Sequence, residues 1–179
     1  LMRFTAFVSF PAMLGLAIVS QELIVISITE KWLPCVPVMQ ILCVWGAFMP
    51  ISTLYSNLMN SIGRPNVYMW NTIALGIFQL LCVWGSYPYG LNVMLIVYTA
   101  ANIFWLLIWH YFAHKHIGIS LFNTLKDIAP YLIISVAVMT FTYWVAGYVK
   151  NIYLSLLVKV ALAASLYIFL MWSLKSIVF

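Results

Sequence analysis

Charge is what this chain has least of. Eight basic and three acidic side chains in 179 residues make 6%, against roughly 25% in ordinary soluble domains. So few charges cannot cover the surface of a soluble fold this size, so the solvent around the chain is lipid. The shortage of acids excludes more. Glu22, Glu30 and Asp127 are the whole set, and no DxD, HxxxxD or HExxH spacing occurs. The clustered acids and histidines with which membrane transferases hold a metal or move protons are therefore missing. Glu30 adjoins Lys31 and Asp127 adjoins Lys126, which reads as solvated loop charge. Cys35, Cys43 and Cys82 are an odd number without CxxC spacing, giving neither a disulfide frame nor a zinc site. Strict alternation over ten-residue runs is absent too, which excludes a transmembrane barrel. No repeat of 20–50 residues is visible.

What the chain has is apolar length. Hydrophobic residues make up 66% of it, in runs of about 20 residues, the length a helix needs to cross the hydrocarbon. A spanning helix satisfies its own backbone hydrogen bonds, so the fold class is an all-α integral membrane protein with a six-transmembrane-helix bundle. The spans are expected over about 4–26, 38–61, 67–87, 91–112, 128–148 and 152–174. Between the fourth and fifth, Ile117, Leu121, Leu125 and Ile128 recur at helical spacing among Ser120, Asn123, Thr124, Lys126 and Asp127. This predicts a short amphipathic helix over about 117–127, lying on the membrane surface and entering the fifth span at Pro130.

With the first helix starting in the cytoplasm, Arg3, Arg64, Lys115, Lys126 and Lys175 fall inside, and Lys31 and Lys150 outside. The positive-inside bias then puts both ends of this segment in the cytoplasm. The net charge of +5 is accounted for by topology and anionic headgroups, and does not imply nucleic acid as a partner. Trp32, Trp109, Tyr87, Tyr89, Tyr148 and Tyr153 stand near expected helix ends, where amphipathic rings sit at the interface. Leu1-Met2-Arg3-Phe4 runs directly into an apolar stretch without a signal-peptide cleavage site. It reads as an internal start with more protein upstream, Met2 as a true initiator being the alternative.

Polar groups inside spans are where function is sought, because each is costly unless it faces a cavity or a partner. Glu22, beside Gln21, is either a cavity-facing carboxylate pairing with a cation, a proton or Lys159, or an interfacial acid reaching water. Lys159 either attracts an anionic group or snorkels outward along its stem. Lys159→Met deletes the charge but keeps an apolar stem, so on this reading it separates function from packing. Asn57, Asn60 and Ser61, with Asn71, Thr72 and Gln79, either line a hydrophilic path or bond between helices. Arg3 and Arg64 at the cytoplasmic mouth either meet a diphosphate or act as positive-inside anchors. His110, His114 and His116 have no matched carboxylate in their segment, so an interface cluster is preferred over a metal site; no metal or cofactor is expected. Pro11 with Gly15, and Pro50, are hinge candidates, the alternative being static kinks. Thr72/Gly76 and Ala161/Ser165 have the small-residue spacing of close helix packing.

Several short motifs carry a family likeness. Phe10-Pro11 lies in the first span, and Glu30-Lys31-Trp32-Leu33-Pro34 forms the turn after it. Tyr55 to Asn60 leads into Gly63-Arg64-Pro65, and Tyr87-Pro88-Tyr89-Gly90 follows the third span. Trp109-His110-Tyr111-Phe112, Ile117-Gly118-Ile119-Ser120 and Lys126-Asp127-Ile128-Ala129-Pro130 complete the set. The pattern resembles the second half of polysaccharide and O-antigen flippases, the Wzx-type lipopolysaccharide biosynthesis proteins of the multidrug/oligosaccharidyl-lipid/polysaccharide exporter superfamily. The resemblance implies one half of a two-bundle exporter in the bacterial inner membrane, working by alternating access with an N-terminal bundle of the same protein. It implies undecaprenyl-diphosphate-linked oligosaccharide as substrate and membrane lipids as further partners. Lys159, Glu22, Gln21, Arg64, Arg3, Asn57, Asn60 and Asn71 are the substrate-path candidates. Related lipid II flippases and cation-coupled drug exporters share the plan, and a non-transporting scaffold is the remaining alternative.

Overall fold

A computed structural model describes residues 1–118, 120–147 and 151–173, apart from the side chain of Ser173. Ile119, Tyr148, Lys150, Leu174 and Lys175, which figured in the sequence reading, lie outside the described residues. Six long helices make up nearly everything else: α1 (Met2–Ile28), α2 (Val36–Ser61), α3 (Pro65–Ser86), α4 (Leu91–Ile117), α5 (Leu121–Ala146) and α6 (Ile152–Ser173). All six are long and apolar enough to cross a membrane, and no strand occurs among the described residues.

The turns follow from local chemistry. Thr29, at φ 98°, ends α1, and a 3₁₀ turn over Glu30–Cys35 leads into α2, which carries a proline at its start. Gly63, at φ 74°, makes the tight corner before α3, a conformation open to glycine without steric penalty.

One expectation is corrected. The residues over about 117–127 do not form a surface helix of their own. α4 continues to Ile117, and Leu121 to Asp127 are the first two turns of α5. The break lies at Gly118, which is left-handed at φ 77° and donates its N–H to the His114 carbonyl at 2.8 Å. That αL glycine terminates a helix, and the extended Ser120 starts the next. Leu121, Leu125 and Ile128 keep their helical spacing, but within α5. Pro130 sits inside that helix, not at its entrance.

The helices pack as two triplets. α1, α5 and α6 touch one another, as do α2, α3 and α4, and the most extensive seam, α1 on α2, joins them. A methyl group added at Gly46 on α2 would lie 2.1 Å from Cε of Met13 on α1. Met13 thus fills the space that the glycine leaves open in the seam. The core is not spread evenly along the bundle. Ala6 and Phe10 of α1, Ile51 to Met59 of α2, Trp105 to Ala113 of α4, Tyr131 and Val138 of α5, and Tyr167 and Met171 of α6 form one cluster. Most lie toward the end where Arg3 and Arg64 stand, with Trp105 near the middle of α4 and Val138 past the middle of α5.

Pro11 shows how the bundle accommodates a proline. Its missing N–H leaves the carbonyl of Phe7, four residues back, without its helical donor. The Tyr167 hydroxyl on α6 donates to that carbonyl at 2.9 Å. A neighbouring helix thus restores the bond, as lipid-embedded backbone requires.

Candidate functional site

In lipid most side-chain hydroxyls can be quieted locally. Thr53, Ser56, Ser61, Thr72, Ser86, Thr140 and Thr142 each donate to the carbonyl four residues back in their own helix. They have little hydrogen-bonding capacity left to offer another group. Amides and charges must look further afield.

The neutral amides pair between α3 and α4. The Trp105 indole donates to Oδ1 of Asn71 at 3.0 Å, and Gln79 donates to Oδ1 of Asn102 at 2.8 Å. Between α2 and α4, the Tyr55 hydroxyl and His110 Nδ1 share a hydrogen bond of 2.9 Å. Asn71 and Gln79 are therefore in helix–helix hydrogen bonds. No group of His, Cys, Asp and Glu suited to a metal ion occurs among the described residues.

The charges meet elsewhere. Lys159 is 6% exposed and Glu22 8%. Glu22 lies six residues before the end of α1 and Lys159 seven after the start of α6, each about 10 Å from the same end of the bundle. Because α1 and α6 are antiparallel neighbours, the two side chains meet. The Lys159 ammonium bonds to Oε1 of Glu22, donates to the Ile18 carbonyl at 3.2 Å and lies 5.7 Å from the centre of the Tyr143 ring. The Ser155 hydroxyl donates to the same Glu22 oxygen at 3.0 Å. The other carboxylate oxygen, Oε2, is buried without a hydrogen-bond partner. Beside the lysine opens a cavity of about 220 Å³, bordered by Gly15, Val19, Thr142, Lys159 and Ala163. A cation held by one carboxylate oxygen and one carbonyl, at the rim of a cavity, can exchange its anion.

The other candidates are scattered. Gln21 is one residue from Glu22 and so turned about 100° around the helix; it faces outward. Asn57, Asn60 and Arg64 are exposed near the opposite end. Arg3 is engaged by Asp127, with Nε and Nη2 at 2.8 and 2.7 Å from Oδ1. Pro11 and Pro50 lie inside α1 and α2, and Gly15 stands against Met139. Of the eight substrate-path candidates, the structure joins Lys159 to Glu22 and leaves the remaining six outside that cluster.

Sequence reasoning missed Ser155, Tyr143 and Asp127 as partners. Ser155 was detectable, because it stands four residues before Lys159 on the same helical face. Asp127 reads as loop charge only while it is placed outside α5. Nothing along the chain links Tyr143 to Lys159. The pairing also changes what Lys159→Met measures, since the single substitution leaves a buried carboxylate uncompensated and does not separate charge from packing.

Comparison with known proteins points to one class of neighbour. The family model described as "Polysaccharide biosynthesis protein" matches residues 1–37, the stretch carrying Pro11, Gly15, Gln21 and Glu22. An uncharacterized membrane protein in the cps region of Klebsiella pneumoniae is 34% identical over 59 residues, covering 33% of this chain and 12% of that protein. Lipopolysaccharide biosynthesis protein WzxC of Escherichia coli (strain K12) is 31% identical over 67 residues, covering 37% of this chain and 14% of that protein. The matched stretches thus span about one-seventh or less of the relatives' own length. No solved structure matches.

Proposed function

We propose that this multi-pass membrane chain is the C-terminal six-helix bundle of a Wzx-type flippase. It works with an N-terminal bundle by alternating access, moving undecaprenyl-diphosphate-linked oligosaccharide across the bacterial inner membrane for O-antigen, capsule or exopolysaccharide synthesis. In this reading the protein is a transporter and not an enzyme, and both ends of the segment are cytoplasmic.

The observation that supports it most is the Lys159–Glu22–Ser155 cluster, whose acidic member lies in the stretch resembling polysaccharide-biosynthesis proteins. A buried ion pair is a weak device for stability, because desolvation offsets most of its Coulombic gain. Ionisable groups inside spans mark transport paths more often. In the proposed cycle Lys159 holds an anionic oxygen of the substrate, while the polyprenyl chain stays in lipid. A second reading, a cation-coupled drug exporter, draws on the unpartnered Oε2 of Glu22, to which a proton or small cation can bind.

The test uses the full-length protein in a flippase-deficient strain. Glu22→Gln with Lys159→Met removes both charges together. Surface polysaccharide should fall at unchanged membrane abundance, and Lys159→Arg alone should retain part of the activity. Normal export by the double variant would remove this cluster from the transport path. Loss of drug resistance with polysaccharide export intact would favour the second reading. Cysteines placed singly at Asn92 and Lys115 should label from opposite sides of the membrane, Asn92 from outside; labelling from one side would refute the orientation.

A further inference from the structure

We propose that the groove between α3 and α4 is a binding site for an anionic phospholipid, its phosphate held at the Arg64 end and its acyl chain lying along the helices. α3 is the peripheral helix of its triplet: Asn71 and Ser86 are its buried residues, and most other side chains point outward. The groove beside it has a volume of about 570 Å³ and an apolar wall that includes Trp70, Trp105 and Phe112. Such a wall suits a hydrocarbon chain.

The charge at its mouth calls for an anion. Arg64 caps α3, Asn66 follows Pro65 in the first turn, and Lys115 lies one turn beyond Phe112 on antiparallel α4. The positive end of the α3 dipole opens at the same place. The chain has three acidic side chains, and each is accounted for elsewhere. Glu22 holds Lys159, Asp127 holds Arg3, and Glu30 belongs to the turn at the opposite end. Arg64 and Lys115, both exposed, make no ion pair among the described residues. Their counter-charge comes from outside the described chain. Basic pockets between membrane helices on the cytoplasmic side suit anionic headgroups.

Asn71 selects which lipid. It is 5% exposed and forms part of the groove wall. Its Oδ1 accepts from Trp105, but its Nδ2 has no acceptor. It lies five residues below Asn66, about 7 Å along α3, close to the thickness of one headgroup layer. A small side-chain adjustment would present that N–H₂ to an ester carbonyl at the glycerol level. A polyprenyl diphosphate carries no such carbonyl, so the occupant is a diacyl glycerophospholipid and not the transported lipid. The inference is independent of the flippase reading, since it concerns the face of α3 and α4 away from Lys159.

Native mass spectrometry of the purified full-length protein tests it, with phosphatidylglycerol, phosphatidylcholine of the same chains, and ether-linked phosphatidylglycerol as probes. Phosphatidylglycerol should be retained preferentially, and the ether analogue more weakly. Arg64→Gln with Lys115→Gln should reduce its retention roughly 30-fold, since each cation near an anionic surface contributes about a factor of five. Lys31→Gln with Lys126→Gln is the control pair and should leave retention unchanged. Equal retention of phosphatidylcholine, an equal loss in the control pair, or equal binding of the ether lipid would overturn the proposal. Displacement of phosphatidylglycerol by undecaprenyl phosphate would also overturn it, by assigning the groove to the transported lipid.

Discussion

The two helix triplets meet the same demand, polar atoms inside an apolar bundle, with different chemistry. In α2, α3 and α4 the interior contacts are neutral: Trp105 on Asn71, Gln79 on Asn102, Tyr55 with His110. In α1, α5 and α6 the interior holds an ion pair, Lys159 on Glu22, near one end, and a solvent-reaching pair, Arg3 on Asp127, stands at the other. A neutral bond between helices contributes little and invites no substitute, so the first set reads as glue. A buried ammonium keeps a strong attraction for any anion that reaches it. Under the proposed function, the triplet that carries Lys159 is therefore where an anionic substrate has something to gain.

That contrast can be broken experimentally, and the largest effect belongs to the buried ion pair. Lys159→Met leaves Glu22 in the interior without its cation, a loss on the order of 3–5 kcal/mol. Adding Glu22→Gln removes the uncompensated charge, so thermal unfolding in detergent should recover most of the loss. Equal unfolding temperatures for the single and double variants would mean that the two residues are not coupled.

A smaller effect sharpens the picture inside the same triplet. Tyr167→Phe strips the donor from the Phe7 carbonyl that Pro11 leaves open, and should destabilise by about 1 kcal/mol. In a Pro11→Ala background the helix supplies its own N–H, and Tyr167→Phe should become nearly silent. Additive losses would show that the hydroxyl does not compensate for the proline. On the neutral side, Gln79→Leu should lower stability by only about 0.6 kcal/mol, the average for hydrogen bonds between membrane helices. A loss as large as that of Lys159→Met would erase the distinction between the triplets. The smallest change is expected for Arg3→Gln, because both partners of the Arg3–Asp127 pair reach solvent, at 42% and 31% side-chain exposure. Exposed pairs are weak and screened by salt, so its unfolding temperature should match that of the parent at physiological ionic strength.

Six helices were legible in the sequence because their signal is local. About twenty apolar residues without charge specify a spanning helix whatever surrounds it. The corners at Gly63 and Gly118 are local too, though one of them was misread. The helical period holds from Leu121 to Ile128, but period alone cannot say that an αL glycine separates Ile117 from it, nor to which helix Leu121 belongs. Lys159 and Glu22 stood out singly, because a charge within a span is conspicuous wherever it falls. Their meeting was decided by the tertiary fold: α1 had to lie antiparallel to α6 at a particular rotation, which no spacing along the chain encodes. The same holds for Tyr167, 160 residues from the carbonyl it serves, and for Asp127, which becomes the partner of Arg3 only once α5 begins beside α1. Sequence set which groups were too polar for lipid; packing decided which of them found each other.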